Sequence, residues 1–321
     1  MSTLGTLYGG AERAFEAIVG WVYATLIDPM VFSLGLMSWA ERAFEGTTFA
    51  VAGALQVAAT ALICIPLERL APVQPIEDAR SVRTDVAFTL FSKLGLIPLF
   101  TFAALALLMQ PLEAAARLRG FTPWSLEDFW PALATSPALA MLAYVLLLDF
   151  AEYWRHRLQH RLGWWWQLHA LHHAQRDMTF WTDDRNHVVD QLLAALWLAV
   201  VALAIGVPPQ QFPLVLFVIR FIESLSHANL RWNFGALRHV LVSPQFHRVH
   251  HGIDGDRGHA RGINFGVVFS FWDKLFGTAD FRAAYPATGV SDQLSGHNYG
   301  RGFWEAQWLG ILRLKQHFWP R

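Results

Sequence analysis

Long apolar runs, which a helix can bury only in a membrane or in a large core, dominate the first two thirds of this chain. They cover about residues 48–66, 86–109 and 131–148, followed by a closely spaced pair at 188–207 and 212–222. The first three runs are near the ~20 residues that span a bilayer. Only 16% of the residues are charged, whereas soluble domains carry about 25%. The pattern predicts an integral membrane protein.

The order of the runs predicts an all-α membrane fold with three spans followed by a helical hairpin. The pair of runs within 188–226, linked by Pro208-Pro209, is expected to form a hairpin that enters the membrane and returns. The chain is predicted to be one domain with five parts. They are interfacial amphipathic helices (1–47), three spans (48–149), two histidine clusters (150–187), the hairpin (188–226) and a cytosolic region with a third histidine cluster (227–321).

Positive charge is distributed unequally about the predicted spans. If the hairpin returns, residues 67–85, 150–187 and 227–321 lie on one side, and they contain most of the chain's 25 Lys and Arg residues. Loops rich in Lys and Arg stay in the cytoplasm. We therefore predict a multi-pass protein whose histidine-rich face is cytoplasmic. The formal net charge of zero argues against nucleic acid as a partner, because a nucleic-acid-binding protein needs a basic face.

Eight histidines form three clusters with the spacings HxxxH, HxxHH and HxxHH. The clusters are His156/His160, His169/His172/His173 and His247/His250/His251. Residues three and four apart share a helix face, so each cluster is expected to aim its imidazoles at one point. Imidazole binds Zn, Cu, Fe and Ni, and eight ligands are too many for one ion. The single cysteine, Cys64, excludes a cysteine-based site. Two metal ions are the simplest interpretation.

Further polar residues are candidates for the same site. Asp149, Glu152 and Glu223 precede His156 or His227 by one or two helical turns and are predicted to orient their rings. His187 and His227 begin polar stretches beside the hairpin, and their spacing leaves open whether they are ligands. The other four histidines, His239, His259, His297 and His317, are predicted to have no metal role.

Several charged residues near the apolar runs allow two interpretations. Lys93 and Arg220 lie within the runs, where they mark either a functional pathway or side chains that snorkel towards water. Asp183, Asp184 and Arg185 are predicted to form a solvated loop.

The motifs DFAEYWRHRLQH, LHALHH, HRVHHG and INFGVVFSFWDKLFGT resemble the fatty acid hydroxylase superfamily, which includes sterol desaturases, sterol methyl oxidases and sphingolipid hydroxylases. The resemblance covers about residues 140–280, including the eight-residue gap between His160 and His169. It implies an all-α fold of about four transmembrane helices with a cytosolic helical cap, in which the eight clustered histidines bind two iron ions. The segments RNHVVD and ESLSHANL resemble those that supply further histidines, so His187 and His227 are expected as ligands too, although Val188 replaces the usual proline.

The resemblance also implies a reaction. Members oxidise an unactivated C–H bond of a lipid, such as a sterol or a fatty acyl or sphingoid chain, with O2 as co-substrate. Hydroxylation and desaturation both remain open. Zinc can occupy an imidazole site in overexpressed samples. The expected substrate groove is lined by aromatic residues, namely Trp164, Trp165, Trp166, Phe180 and Trp181.

No electron-carrier motif is present in the sequence. A separate donor is therefore expected, either a cytochrome, a ferredoxin or a reductase, and a pterin donor as in the alkylglycerol-oxidising branch remains an alternative. Two other functions are weighed, a membrane zinc hydrolase and a metal transporter. The sequence contains no HExxH motif, which argues against the hydrolase. A transporter would place its ligands at mid-membrane, whereas these histidines follow the ends of the spans. The oligomeric state stays open.

Overall fold

The computed structural model describes residues 3–94, 96–121, 125–206, 212–253 and 262–319. Within those ranges the chain is helical, and its β structure is limited to two isolated bridges. The α-helices are α1 (Thr3–Val22), α2 (Asp28–Ser33), α3 (Ala40–Leu70), α4 (Ala79–Lys93), α5 (Leu96–Leu118), α6 (Leu126–Phe129), α7 (Ala132–Thr135), α8 (Pro137–Arg161), α9 (Gly163–His173), α10 (Val188–Ile205), α11 (Phe212–His227), α12 (Pro244–His250), α13 (Phe271–Leu275) and α14 (Phe303–Phe318). His259 and the Pro208-Pro209 linkage lie outside the described residues.

Four helical stretches are long and apolar enough to cross a membrane within the described part of the chain. They are Arg13–Ser33, Met37–Leu70, Pro137–Arg161 and Val188–Ile205. Many of their apolar side chains have no protein neighbour to cover them; Leu62, for example, is 79% exposed. An exposed apolar surface of this kind is what contact with lipid requires. The predicted all-α fold with about four transmembrane helices is confirmed.

The first of these stretches corrects a prediction. We expect residues 1–47 to be interfacial, yet Arg13–Ser33 has the length and apolarity of a span. After Glu16 the stretch carries a single charge, Asp28. Helix α1 continues through a wide π turn at Tyr23–Ile27 into α2. That turn immediately precedes Asp28-Pro29, and a proline removes a backbone donor from the helical ladder.

The predicted span at 86–109 is also wrong as a single helix, because the structure divides it between α4 and α5. Helix α4 ends at Lys93, whose Nζ lies 3.2 Å from Oδ1 of Asp184. Pro98 lies in the first turn of α5, where a missing backbone N–H removes no helical hydrogen bond. The ion pair and the proline together favour a break.

The apolar core joins the spans to the histidine region. Tyr144 and Leu148 of α8 pack with Val215 and Ile219 of α11 and with Val268, and all five are buried. The carboxylate of Asp149 also receives the backbone N–H groups of Val268 and Phe269 and the indole N–H of Trp272. This carboxylate ties the 263–272 segment to the middle of α8.

The segment at 183–185 is not the solvated loop that we expect from the sequence. Asp183 and Arg185 are buried, and a short 3₁₀ helix, Phe180–Asp184, packs against α4 and α11. Nη1 of Arg185 donates to Oδ1 of Asp85 at 2.6 Å. A buried guanidinium requires such a partner, and a partner a hundred residues away cannot be read from local sequence.

Candidate metal centre

Nine histidines converge in two groups, each with ligand nitrogens that all lie within 4.8 Å of one another. The five-histidine group contains His156, His160, His169, His173 and His250. The four-histidine group contains His172, His227, His247 and His251. The structure thus brings together nine of the ten predicted ligands. Each group has enough nitrogen donors to hold one metal ion.

The grouping corrects the expectation that each cluster aims at one point. His156 and His160 near the end of α8 do point together, but both HxxHH clusters are divided. In α9, His169 and His173 join the five-histidine group, whereas His172 joins the other. Adjacent helical residues are ~100° apart around the axis. Two neighbouring histidines therefore cannot point at the same metal position, whereas histidines at i and i+4 can.

The third cluster is divided in the same way. His247 and His251, four residues apart, belong to the four-histidine group, and His250 belongs to the other. The short helix α12 begins at Pro244, and the side chain of Ser243 caps it by accepting the N–H of Phe246. His227, the last residue of α11, completes the four-histidine group.

Hydrogen bonds hold four of the rings through Nδ1. The partners are backbone oxygens for His156 (Phe265, 3.0 Å), His227 (Glu223, 2.7 Å) and His250 (Ile263, 2.6 Å), and a carboxylate for His169 (Asp190, 3.2 Å). Such a bond places the proton on Nδ1 and leaves the Nε2 lone pair available to a metal.

Unpartnered nitrogens show that the five-histidine group fits a metal ion. The buried Nε2 atoms of all five rings have no hydrogen-bond partner among the described residues. Buried polar atoms are otherwise nearly always paired. Five unpaired nitrogens around one point are explained if a cation is their common partner.

Nitrogen separations lead to the same conclusion for the four-histidine group. Nε2 of His227 lies 3.0 Å from Nε2 of His172 and 2.9 Å from Nε2 of His247, which in turn is 3.2 Å from Nε2 of His251. Ligand nitrogens ~2.0–2.1 Å from one ion are separated by about this distance. The four nitrogens are therefore placed as ligands of one ion would be.

The imidazoles outside the spans are in the state that metals bind. Burial, reinforced by neighbouring histidines, holds the pKa values of His172, His173, His247 and His251 well below the usual range. Burial also lowers the pKa of His250 to about 3. These rings are consequently neutral at pH 7, and neutral imidazole is the ligand form.

His187 is the predicted ligand that the structure does not place in either group. It is the N-cap of α10, where its Nδ1 accepts the N–H of Val189 at 3.1 Å. Its Nε2 lies 2.9 Å from the backbone oxygen of Gln307 in α14. With both nitrogens engaged, His187 joins α10 to α14 and lies outside both histidine groups.

The three predicted supporting carboxylates also act differently. Asp149 binds the 263–272 segment, and Glu152 forms two hydrogen bonds with Arg155, at 2.8 and 2.7 Å. The side chain of Glu223 pairs with Arg220, although its backbone oxygen does hold His227. These three carboxylates therefore do not bind a histidine ring, although they lie at helical spacing from one. Each accepts hydrogen bonds from another donor nearby.

Asp190 is the supporting carboxylate that the sequence reasoning missed. It is buried and receives the side chains of Gln159 (2.8 Å) and Trp165 (2.7 Å) as well as Nδ1 of His169. The one available signal was its place as the acidic residue that ends RNHVVD. A carboxylate behind a ligating histidine fixes the orientation of the ring and raises its basicity.

The predicted aromatic groove is a further correction. Trp165 binds Asp190 and stacks on Trp164, while the ring of Trp166 lies 4.9 Å from that of His160. Phe180 and Trp181 pack in a separate core with Cys64. None of the five residues lines the cavity that reaches both histidine groups.

A cavity of about 330 Å³ reaches both histidine groups. Five candidate ligands line it, namely His156, His169, His172, His227 and His247. An apolar face of α10, formed by Ala194, Ala195, Leu198 and Ala199, makes up part of the wall. Lys93 and Arg220 also line it, which favours the functional interpretation of these cations over snorkelling.

Comparisons with known proteins agree with this geometry. The fatty acid hydroxylase family model matches residues 141–278. An ornithine lipid hydroxylase of Rhizobium tropici is 27% identical over 85% of this chain and 78% of its own length. The human alkylglycerol monooxygenase is 31% identical over 41% of this chain, a region that spans only 28% of that enzyme. No solved structure matches the chain significantly.

The matched region begins inside α8 and ends just after α13, so it contains all nine histidines of the two groups. The resemblance seen in the sequence motifs is therefore confirmed. Residues 141–278 match the fatty acid hydroxylase family, and this histidine-rich part of the chain is assigned to that family.

Proposed function

We propose that this protein is a membrane monooxygenase that uses two iron ions and O2 to hydroxylate a C–H bond of a membrane lipid. The observation that carries the proposal is the pair of buried histidine groups that open onto one partly apolar cavity. Iron bound there would supply the reductive activation of O2 that C–H oxidation requires. Hydroxylation is favoured over desaturation because relatives are named hydroxylase and monooxygenase.

The chain's own residues perform the remaining tasks. His156, His169, His172, His227 and His247 place the metal ions at the cavity wall. Asp190 holds His169 in a single orientation, and the backbone oxygen of Glu223 does the same for His227. The alanine-rich face of α10 leaves room for an apolar chain and keeps water from it.

The lipid, the electron donor and the orientation are parts of the same proposal. The substrate is a polar lipid of the type on which these relatives act, taken from the bilayer through the exposed faces of the spans. A separate cytochrome, ferredoxin or reductase supplies electrons from the cytoplasm, where the histidine-rich face lies. A pterin donor is the alternative, and the local similarity to alkylglycerol monooxygenase supports testing it.

The test combines metal analysis with product analysis in membranes that contain the full chain. We expect two irons per chain, and lipids that gain one oxygen atom derived from labelled O2 in the presence of a reductant. His172→Ala should abolish the product and lower the iron content. His317→Ala is the matched control, since His317 is exposed and lies outside both groups. Zinc-dependent hydrolysis without O2 uptake would refute the proposal.

A further inference from the structure

Two adjoining polar cavities lie between the N-terminus of α4, the 174–185 segment and the loop that precedes α14. Their volumes are about 530 and 340 Å³, and Asp78, Ser81, Arg185 and Gly300 line both. Neither cavity is lined by any of the nine histidines of the metal groups. Three arginines, Arg80, Arg185 and Arg301, line the smaller one.

Arg185 is the buried member of this triad. It is 4% exposed, and its Nη1 donates to Asp85 at 2.6 Å, whereas its Nε has no hydrogen-bond partner among the described residues. A buried donor on a charged group is rarely left unpaired. Arg185 lines the smaller cavity, so a ligand bound there would lie beside this residue.

The other two guanidinium groups are exposed. Neither Arg80 nor Arg301 has a side-chain hydrogen bond or ion pair with any residue that the structure describes. Asp78 is the acidic group in the wall of the smaller cavity, and its Oδ1 already caps α4 by accepting the N–H groups of Arg80 and Ser81. The three arginines around the smaller cavity thus face two carboxylates, Asp78 and the Asp85 that pairs with Arg185, which leaves an excess of one positive charge.

We infer that this cavity binds an oxyanion, the phosphate or carboxylate group of a small metabolite or of a lipid headgroup, through Arg80, Arg185 and Arg301. Guanidinium groups match the geometry of such oxyanions with paired hydrogen bonds. The adjoining larger cavity accommodates the rest of a headgroup-sized ligand.

The site is linked to the metal cavity. Asp85, the partner of Arg185, also receives Gln175 at 2.5 Å and Thr182 at 3.1 Å. Thr182 immediately precedes Asp183 and Asp184, which line the cavity at the metal centre. An oxyanion on Arg185 therefore stabilises the segment that forms this wall, and binding should raise the thermal stability of the protein.

Thermal unfolding of the full, delipidated chain in a neutral detergent tests the inference. Inorganic phosphate is titrated against chloride at constant ionic strength. We expect a saturable rise in Tm, and an apparent affinity at least about tenfold weaker in the double variant Arg80→Gln/Arg301→Gln. Arg282→Gln is the matched control, because Arg282 is an exposed arginine that does not line these cavities. Arg185 stays intact, since its loss would leave Asp85 buried without a cation.

A short-chain phosphatidic acid, titrated in parallel, separates the two sources of the oxyanion. Saturation at lower concentrations than inorganic phosphate, with competition between the two, identifies a lipid headgroup. Saturation by inorganic phosphate alone identifies a soluble ligand. The inference is overturned if neither probe gives a saturable rise in Tm, or if the double variant responds as the unmodified protein does.

Discussion

Nδ1 of His169 lies 3.2 Å from Oδ2 of Asp190, and both residues are buried. The contact joins α9 to the first turn of α10 behind the five-histidine group. Asp190, which is not itself a candidate ligand, thereby orients the candidate ligand His169.

Asp190→Asn should weaken metal binding without unfolding the protein, because the amide keeps the size of the side chain but loses its charge. Loss of such a carboxylate lowers metal affinity by about 10- to 100-fold. Competition with a chromophoric chelator measures the affinity. Asp128→Asn, at an exposed position, should leave it unchanged. Equal affinities in the two variants would contradict the role of Asp190.

Adjacent histidines should have different effects on the metal stoichiometry. His251→Ala leaves three ligands in its group, whereas His250→Ala leaves four in the other. Since four ligands suffice for a stable site, we expect His251→Ala to approach one metal ion per chain and His250→Ala to stay closer to two. Elemental analysis of the purified variants gives the counts. The reverse order would show that the assignment to groups is wrong.

Filling the cavity beside the two histidine groups should impair lipid oxidation without changing metal binding. Ala195 lines the cavity on α10, so Ala195→Trp is expected to reduce lipid oxidation at least about tenfold, because the substrate loses its place beside the metal centre. The iron content should be unchanged. Val200→Trp, on the same helix at a 41% exposed position, should remain active. Product formation, measured by mass spectrometry in both variants, distinguishes the two faces.

Removal of the metal should destabilise the protein. Without an ion, the five buried Nε2 atoms of the five-histidine group remain without partners, at a cost of about 1–3 kcal/mol each for an unpaired buried group. A chelator should therefore lower Tm, and added iron should restore it. An unchanged Tm after complete removal would mean that the two groups are stable without an ion.

Acid should destabilise the metal-free protein further. The pKa of His250 falls from 6.5 to about 3 on folding, so between these pH values the unfolded chain binds more protons than the folded one. Stability must then decrease as the pH falls below 6.5. Tm of the metal-free protein, measured from pH 7 to 4, should fall steadily. In His250→Ala the fall should be shallower.

Local patterns predicted a large part of this molecule. Apolar runs indicated helices that cross a membrane, and the histidine spacings identified eight of the nine convergent rings. His187 misled because a histidine before a helix looks the same in sequence whether it caps the helix or binds a metal. Asp149, Glu152 and Glu223 misled for a related reason, since spacing shows which residues share a helix face but not which donor each carboxylate meets.

The sequence by itself determined that the chain is a helical membrane protein with enough imidazoles for two metal ions, because hydrophobicity and helical periodicity are local properties. Only the tertiary structure decided how those imidazoles are divided, that His227 joins His172 and His247, and that Asp190 stands behind His169. The side chains of adjacent residues on a helix point in directions that differ by ~100°, so one HxxHH motif supplies rings to both histidine groups. The packing of the neighbouring helices decides which group each ring joins.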